Sequence, residues 1–222
     1  MGLFVGCALA HGLAAAATDA SAVPSAQSWS FTVLLDGREI GQHHFVLTQD
    51  PQDPQIWQID SQADYTVRFL GLVVYRYHHH AAEHWERGCL RRLSAKTDDD
   101  GRLTQVELTT ETTSGLAQIE IIRSESRETQ TQDGCVLSFA YWSPLLRQQH
   151  QLLNPQTGAL EPVTITPLLE DHVMVQGQSR PARAWRLKTP QGPIDVWYDR
   201  ANHWVGLDAT LKQTRHLSYR VP

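Results

Sequence analysis

Trp57-Gln58-Ile59-Asp60-Ser61-Gln62-Ala63-Asp64-Tyr65-Thr66-Val67-Arg68 decides how the rest of the chain is read. Trp57, Ile59, Ala63, Tyr65 and Val67 alternate with Gln58, Asp60, Gln62, Asp64, Thr66 and Arg68. Successive side chains of an extended strand point to opposite faces, so a period of two predicts a strand with one buried and one wet face, as in an antiparallel sheet. A helix would scatter the same apolar residues around its axis.

The flanks repeat the pattern. Trp29, Phe31, Val33 and Leu35 share a face, Asp36-Gly37 supplies the positive φ angles of a tight hairpin, and a second strand runs from Glu39 to Leu47. The loop Gln49 to Gln55 holds Pro51 and Pro54, which cannot donate ladder hydrogen bonds. Further strands are predicted at Leu72 to Trp85, Cys89 to Lys96, Arg102 to Thr112 and Leu116 to Arg123, separated by Arg87-Gly88, Asp98-Asp99-Asp100-Gly101 and Ser114-Gly115. Ser138 to Gln151 reads as a short helix, because Phe139, Trp142, Leu145, Leu146 and Gln149 can share a face and Pro144 suits a first turn. Strands resume at Glu161 to Pro167, Asp171 to Gln176, Arg180 to Thr189, Ile194 to Asp199, Trp204 to Leu211 and His216 to Val221. With no long amphipathic helix to carry βαβ crossovers, the expected class is all-β and mainly antiparallel. The architecture expected is a strongly curved sheet or half-open β-barrel with one short helix.

Residues 1–28 read as a signal peptide and leader, ahead of a single β-rich domain at 29–222. Leu3 to Ala17 has the length of a secretory apolar region and is too short to span a bilayer, while Ala15-Ala16-Ala17 and Ala20-Ser21-Ala22 offer small residues for cleavage. No Lys or Arg precedes Arg38, which a start codon placed too far downstream would explain. In that case Phe4-Val5-Gly6-Cys7 makes Cys7 a candidate lipidation site. The expected location is therefore periplasmic or secreted, with no transmembrane span in the mature chain. Beyond the leader only Cys89 and Cys135 remain, an even count that reads as a disulfide in an oxidising compartment, with two buried thiols as the alternative.

A net charge of -5 gives no basic field for gathering phosphates, so nucleic acid is not an expected partner. The sequence holds no G-x-S-x-G elbow, no H-E-x-x-H, no phosphate loop and no dinucleotide fingerprint. Asp98-Asp99-Asp100-Gly101 reads as a solvated turn. His78, His80, Glu83 and His84 form the one candidate metal set, for zinc or copper, because imidazoles two apart on a strand share a face; His43-His44 lies in an earlier strand. The ordinary alternative is a strand that exposes polar rings, with Tyr75 and Tyr77 inward. Seven tryptophans and six tyrosines are either core packing or the lining of an apolar groove built from Tyr65, Tyr75, Tyr77, Trp85, Tyr141, Trp142, Trp197 and Trp204.

Several segments carry a family resemblance: Trp29 to Gly41 with its Asp36-Gly37-Arg38-Glu39-Ile40-Gly41 hairpin, Glu83-His84-Trp85, Phe139-Ala140-Tyr141-Trp142, Leu152-Leu153-Asn154-Pro155-Gln156-Thr157-Gly158, and Val196-Trp197-Tyr198-Asp199 followed by Trp204-Val205-Gly206-Leu207. Together they resemble the proteobacterial domain-of-unknown-function family 6134 over nearly the whole mature chain. The opening hairpin and the Trp197-Tyr198-Asp199 segment are also similar to domain-of-unknown-function family 3108. These resemblances imply an exported β-rich protein and supply no catalytic residues. By analogy of architecture they call to mind periplasmic lipoprotein carriers, whose half-open sheet wraps an acyl chain.

Three functions follow. The first is a non-enzymatic envelope module binding a lipid, another apolar ligand or a protein partner on a concave aromatic face. The second is a metal-binding protein or metal-dependent enzyme using the histidine set. The third is a structural or assembly module whose aromatics are all core.

Overall fold

The computed structural model describes residues 26–111, 113–211 and 214–222, so Cys7 and most of the expected leader lie outside the described residues. The strands are β1 (Ala26–Leu35), β2 (Arg38–Gln49), β3 (Ile56–Phe69), β4 (Leu72–Glu86), β5 (Cys89–Asp99), β6 (Arg102–Thr110), β7 (Ala117–Arg123) and β8 (Ser126–Gln132). They continue as β9 (Gln151–Leu153), β10 (Leu160–Pro162), β11 (Thr164–Pro167), β12 (Asp171–Val175), β13 (Gln178–Thr189), β14 (Gly192–Tyr198), β15 (Trp204–Leu211) and β16 (Arg215–Arg220).

Fourteen of them form one antiparallel sheet in the order β11, β13, β14, β15, β16, β1, β2 and on to β8, with β12 pairing β13 beside β11. The pairing of β16 with β1, from Thr32 opposite Arg220 to Leu35 opposite Leu217, joins the two halves of the chain. β8 and β11 remain as edges, so the barrel is not closed. In β3 the alternation holds: Ile59, Ala63 and Tyr65 are buried while Gln58, Asp60, Gln62 and Asp64 are exposed. Asp36 and Gly37 both take positive φ at the first hairpin. Gly41 has φ +153, and a Cβ there would lie 1.9 Å from the Asp64 carbonyl oxygen, so only glycine lets β2 press this closely on β3.

Three elements depart from the sequence reading, the first being the strand expected over Glu161 to Pro167, which divides into β10, paired with β9 in a separate two-stranded sheet, and β11 at the edge of the main sheet. β8, Ser-Arg-Glu-Thr-Gln-Thr-Gln, is an edge strand exposed over most of its length, and without apolar alternation it leaves periodicity nothing to detect. The helix expected over Ser138 to Gln151 shrinks to a 3-10 helix, Pro144–Gln148, capped by the Ser143 side chain. Tertiary pairing takes over the flanking backbone: the His150 carbonyl accepts from Val163 N–H at 2.8 Å, and the Leu137 carbonyl accepts from Leu153 N–H at 2.8 Å.

The connection from β8 to β11, residues 133–163, packs on the concave face of the sheet. Val136, Leu137, Ala140, Leu146, Leu152, Leu153 and Val163 are buried in the same cluster as Phe31, Ile59, Trp85, Leu108, Ile119 and Val196. Gly158 sits so close to Ile121 that a Cβ would clash at 2.3 Å. On the opposite side the β12–β13 hairpin folds over the sheet, where Val173, Ala182 and Val205 form a second small cluster and Gln176 N–H donates to the Val221 carbonyl at 3.1 Å.

Candidate functional site

The eight aromatics expected to line an open groove occupy three environments. Tyr65 and Tyr77 are buried and stack at 5.1 Å, and Trp85 and Trp204 are fully enclosed. Tyr141 and Trp142 belong to the segment that fills the interior: Tyr141 packs 5.4 Å from Trp204, and Trp142 meets Trp85 edge-on at 5.4 Å. Tyr75 lies at the rim and donates to Asp99 at 2.6 Å. Trp197 is on the outer face, packed against the Val173 cluster with its indole N–H donating to Asp208 at 2.8 Å. The inward-facing rings are thus packed together, and the face read as a groove is covered by the chain's own residues 136–153. Alternation identifies which side of a strand is apolar; it carries no information about what lies on that side.

Between these rings sits a polar cluster that the sequence reading did not assemble. The Tyr65 and Tyr219 hydroxyls hydrogen-bond at 2.5 Å, and His43 Nδ1 lies 3.1 Å from the Tyr219 hydroxyl. His79 Nδ1 lies 2.9 Å from the Thr97 hydroxyl. His43 Nε2 and the Tyr77 hydroxyl have no hydrogen-bond partner among the described residues. Burial, seconded by the nearby imidazoles of His79 and His44, holds His43 well below the usual histidine range. Burial also pushes His79 down to about 4 and Tyr219 up to about 12. The cluster is therefore neutral at physiological pH, and its chemistry is hydrogen bonding inside a core. The parity of β2, which turns His43 inward, was the one local signal available.

The four candidate metal ligands are not brought together. His78 and His80 point outward, to Asp64 at 2.5 Å and Asp60 at 2.8 Å on β3, and His84 meets Glu86 at 3.1 Å. Glu83 stands at the opposite parity, opposite Ile59 and Leu93, and accepts from the Trp85 indole N–H at 2.7 Å. Burial, opposed by hydrogen bonds from Trp85 and Ser138, raises this carboxyl to about 7. Among the described residues no group of three or more His, Cys, Asp or Glu side chains is placed to hold a metal ion. Alternation turns Glu83 away from the imidazoles, His78 and His80 each find a carboxylate across the ladder on β3, and His84 finds one two residues along its own strand.

Cys89 and Cys135 form a disulfide with Cα atoms 5.1 Å apart, fastening the start of the filling segment to the start of β5. Leu90 N–H donates to the Val136 carbonyl beside it at 2.9 Å. The Tyr198 hydroxyl holds the Tyr141 carbonyl at 2.7 Å. At the hairpin end of the sheet two clefts open. One, about 640 Å³, lies between Tyr75, Asp99, Arg102, Arg123 and Thr157. The other, about 700 Å³, combines Ile40, Val67, Phe69 and Val74 with Arg38 and Arg68.

Fold and site together define an antiparallel, barrel-like module whose sheet is open at its edges and whose concave face is filled by its own chain. The family model of a domain of unknown function, DUF6134, matches residues 31–221, and the chain belongs to that family. No curated protein matches it. Its fold is similar to the crystal structure of a beta-barrel-like protein of domain of unknown function DUF1849 from Brucella abortus, with a TM-score of 0.61 at 10% identity, covering 89% of this chain and 95% of that one. Among the described residues no helix is long and apolar enough to cross a membrane.

Proposed function

We propose that the protein is an exported structural or assembly module of the bacterial envelope, one that works through its surface and holds no ligand inside its sheet. The observation that carries this reading is the filled concave face, where Leu146, Leu152 and Leu153 are enclosed and Trp142 packs on Trp85. A carrier would have to expel residues 133–163 against the Cys89–Cys135 bridge and the Tyr198–Tyr141 hydrogen bond. The bridge itself favours export, because disulfides persist in oxidising compartments and are rare in the cytosol. Intact mass of the protein recovered from the periplasm should show a start between Ala17 and Trp29.

Titration of delipidated protein with a fluorescent fatty acid tests the reading. The expected result is no saturable binding at micromolar concentration and a Tm unaffected by delipidation, since only a ligand of the native state raises stability. Saturable binding with a change in tryptophan emission would return the protein to the lipid-carrier class.

A further inference from the structure

We propose that the tip of the β3–β4 hairpin is a membrane-docking element that seats this module on an anionic lipid surface. The inference rests on the reading of the protein as a module that works through its exterior. The segment is Arg68-Phe69-Leu70-Gly71-Leu72-Val73-Val74-Tyr75-Arg76. Phe69, Leu70, Leu72 and Val74 are 64%, 86%, 71% and 53% exposed, four of the ten large apolar side chains left exposed among the described residues. Scattered singly such residues need no explanation, but four within six positions form a patch.

The hairpin also leaves the ladder on both sides, running well past the Asp100-Gly101 turn and parting from the β1–β2 hairpin beside it across a cleft. β2 pairs with β3 only as far as Gly41 opposite Tyr65, and β5 pairs with β4 only as far as Asp99 opposite Tyr77. Residues 66–75 therefore pair only within the hairpin, from Thr66 opposite Arg76 to Phe69 opposite Leu72. A two-stranded ribbon is marginal in water, and one with an apolar apex gains from a cover.

The turn residue itself argues for a role. Asp36, Leu70, Arg87, Asp100 and Gln176 each occupy the first position of a two-residue turn before glycine, all with φ between 49 and 52°. Four of the five are polar or charged. The left-handed conformation suits Asn, Asp and Gly and costs a leucine free energy, so Leu70 brings to this exposed turn neither conformational ease nor solubility. An unfavourable choice at a protruding tip is explained if the tip leaves water.

Charge selects the occupant. Arg68 and Arg76 flank the apolar run, both are exposed, and neither forms an ion pair among the described residues. Arg38, in the adjoining cleft, is likewise unpaired there. At about 3.4 Å per residue, Arg68 stands roughly 7 Å below the apex and Arg76 roughly 13 Å below it. Interfacial elements sink their apolar faces about 5–10 Å into the boundary between headgroups and acyl chains. Inserting Phe69, Leu70 and Leu72 would thus bring the guanidinium groups level with lipid phosphates, which accept their hydrogen bonds.

Co-sedimentation of the purified full chain with vesicles tests the proposal, comparing vesicles containing phosphatidylglycerol with vesicles of phosphatidylcholine alone. The expected result is binding to the anionic vesicles that weakens as salt rises. Leu70→Ser with Leu72→Ser should reduce it at least tenfold. Arg68→Gln with Arg76→Gln should reduce it about fivefold per arginine and flatten the salt dependence. Circular dichroism of the variants guards against misfolding, and both sites are solvent-exposed. No binding of the wild type to anionic vesicles, or binding undiminished in the leucine variant, overturns the proposal. A protein partner captured through the tip without vesicle binding overturns it equally. The closed-core reading is judged separately by the fatty acid titration, which does not involve the tip.

Discussion

Replacing Glu83 by glutamine probes a carboxyl that links the filling segment to the sheet. Its side chain accepts from the Trp85 indole at 2.7 Å and bonds Ser138, and burial raises it from 4.5 to about 7. The folded chain therefore holds this proton more tightly than the unfolded chain. The stabilisation is complete below pH 4.5, declines as pH rises and is gone above about pH 7. At about 1.4 kcal/mol per pH unit the interval corresponds to roughly 3 kcal/mol. His43 and His79 act in the opposite sense: both are depressed, so their contribution is present above 6.5 and is lost as pH falls, for His79 through about 4. Glutamine keeps an acceptor for Trp85 and never ionises, so the difference between Glu83→Gln and wild type isolates the carboxyl while the histidine effects cancel. Urea denaturation of both proteins at pH 4.5, 6 and 8 should show the variant gaining about 3 kcal/mol on the wild type across that range. A difference that does not change with pH would refute the assignment of Glu83 as a half-buried carboxyl whose proton the fold retains up to about pH 7.

Removing the disulfide with Cys89→Ser and Cys135→Ser releases a loop closed over 46 residues and should cost about 4 kcal/mol in the chain-entropy model, read as a lower urea midpoint. Truncating Leu153→Ala at the fully buried centre of the filling segment should cost about 2–5 kcal/mol of global stability, as for any core leucine; a change under about 1 kcal/mol in equilibrium unfolding would show that the segment is not core.

Much of the sheet was legible because strand alternation is local. Trp57 to Arg68 announces β3, and Asp36-Gly37 the first hairpin, without reference to the rest of the chain. β8 was not legible, since an edge strand such as Ser126–Gln132 buries neither face. Phe139, Trp142 and Leu146 gave the density of a helix but in fact cover a sheet, and the contact of Trp142 with Trp85 lies 57 positions apart in sequence, where no periodicity reaches. The outward parity of His78 and His80 was readable from the strand; their engagement by Asp64 and Asp60 depended on register between β3 and β4. Trp197 shows the same limit from the other side, its outer face being covered by a hairpin that begins more than twenty positions earlier.

The central claim is that residues 136–153 are part of the core and not a lid over a binding cavity. Native-state hydrogen exchange measures this directly, because each amide reports the free energy of the opening that exposes it. The hydrogen-bonded amides of Leu146 and Leu153 should exchange only through global unfolding, with the same denaturant dependence as amides of β3 to β6. Exchange of those amides by a smaller, denaturant-insensitive opening, while β3 to β6 stay protected, would contradict the account.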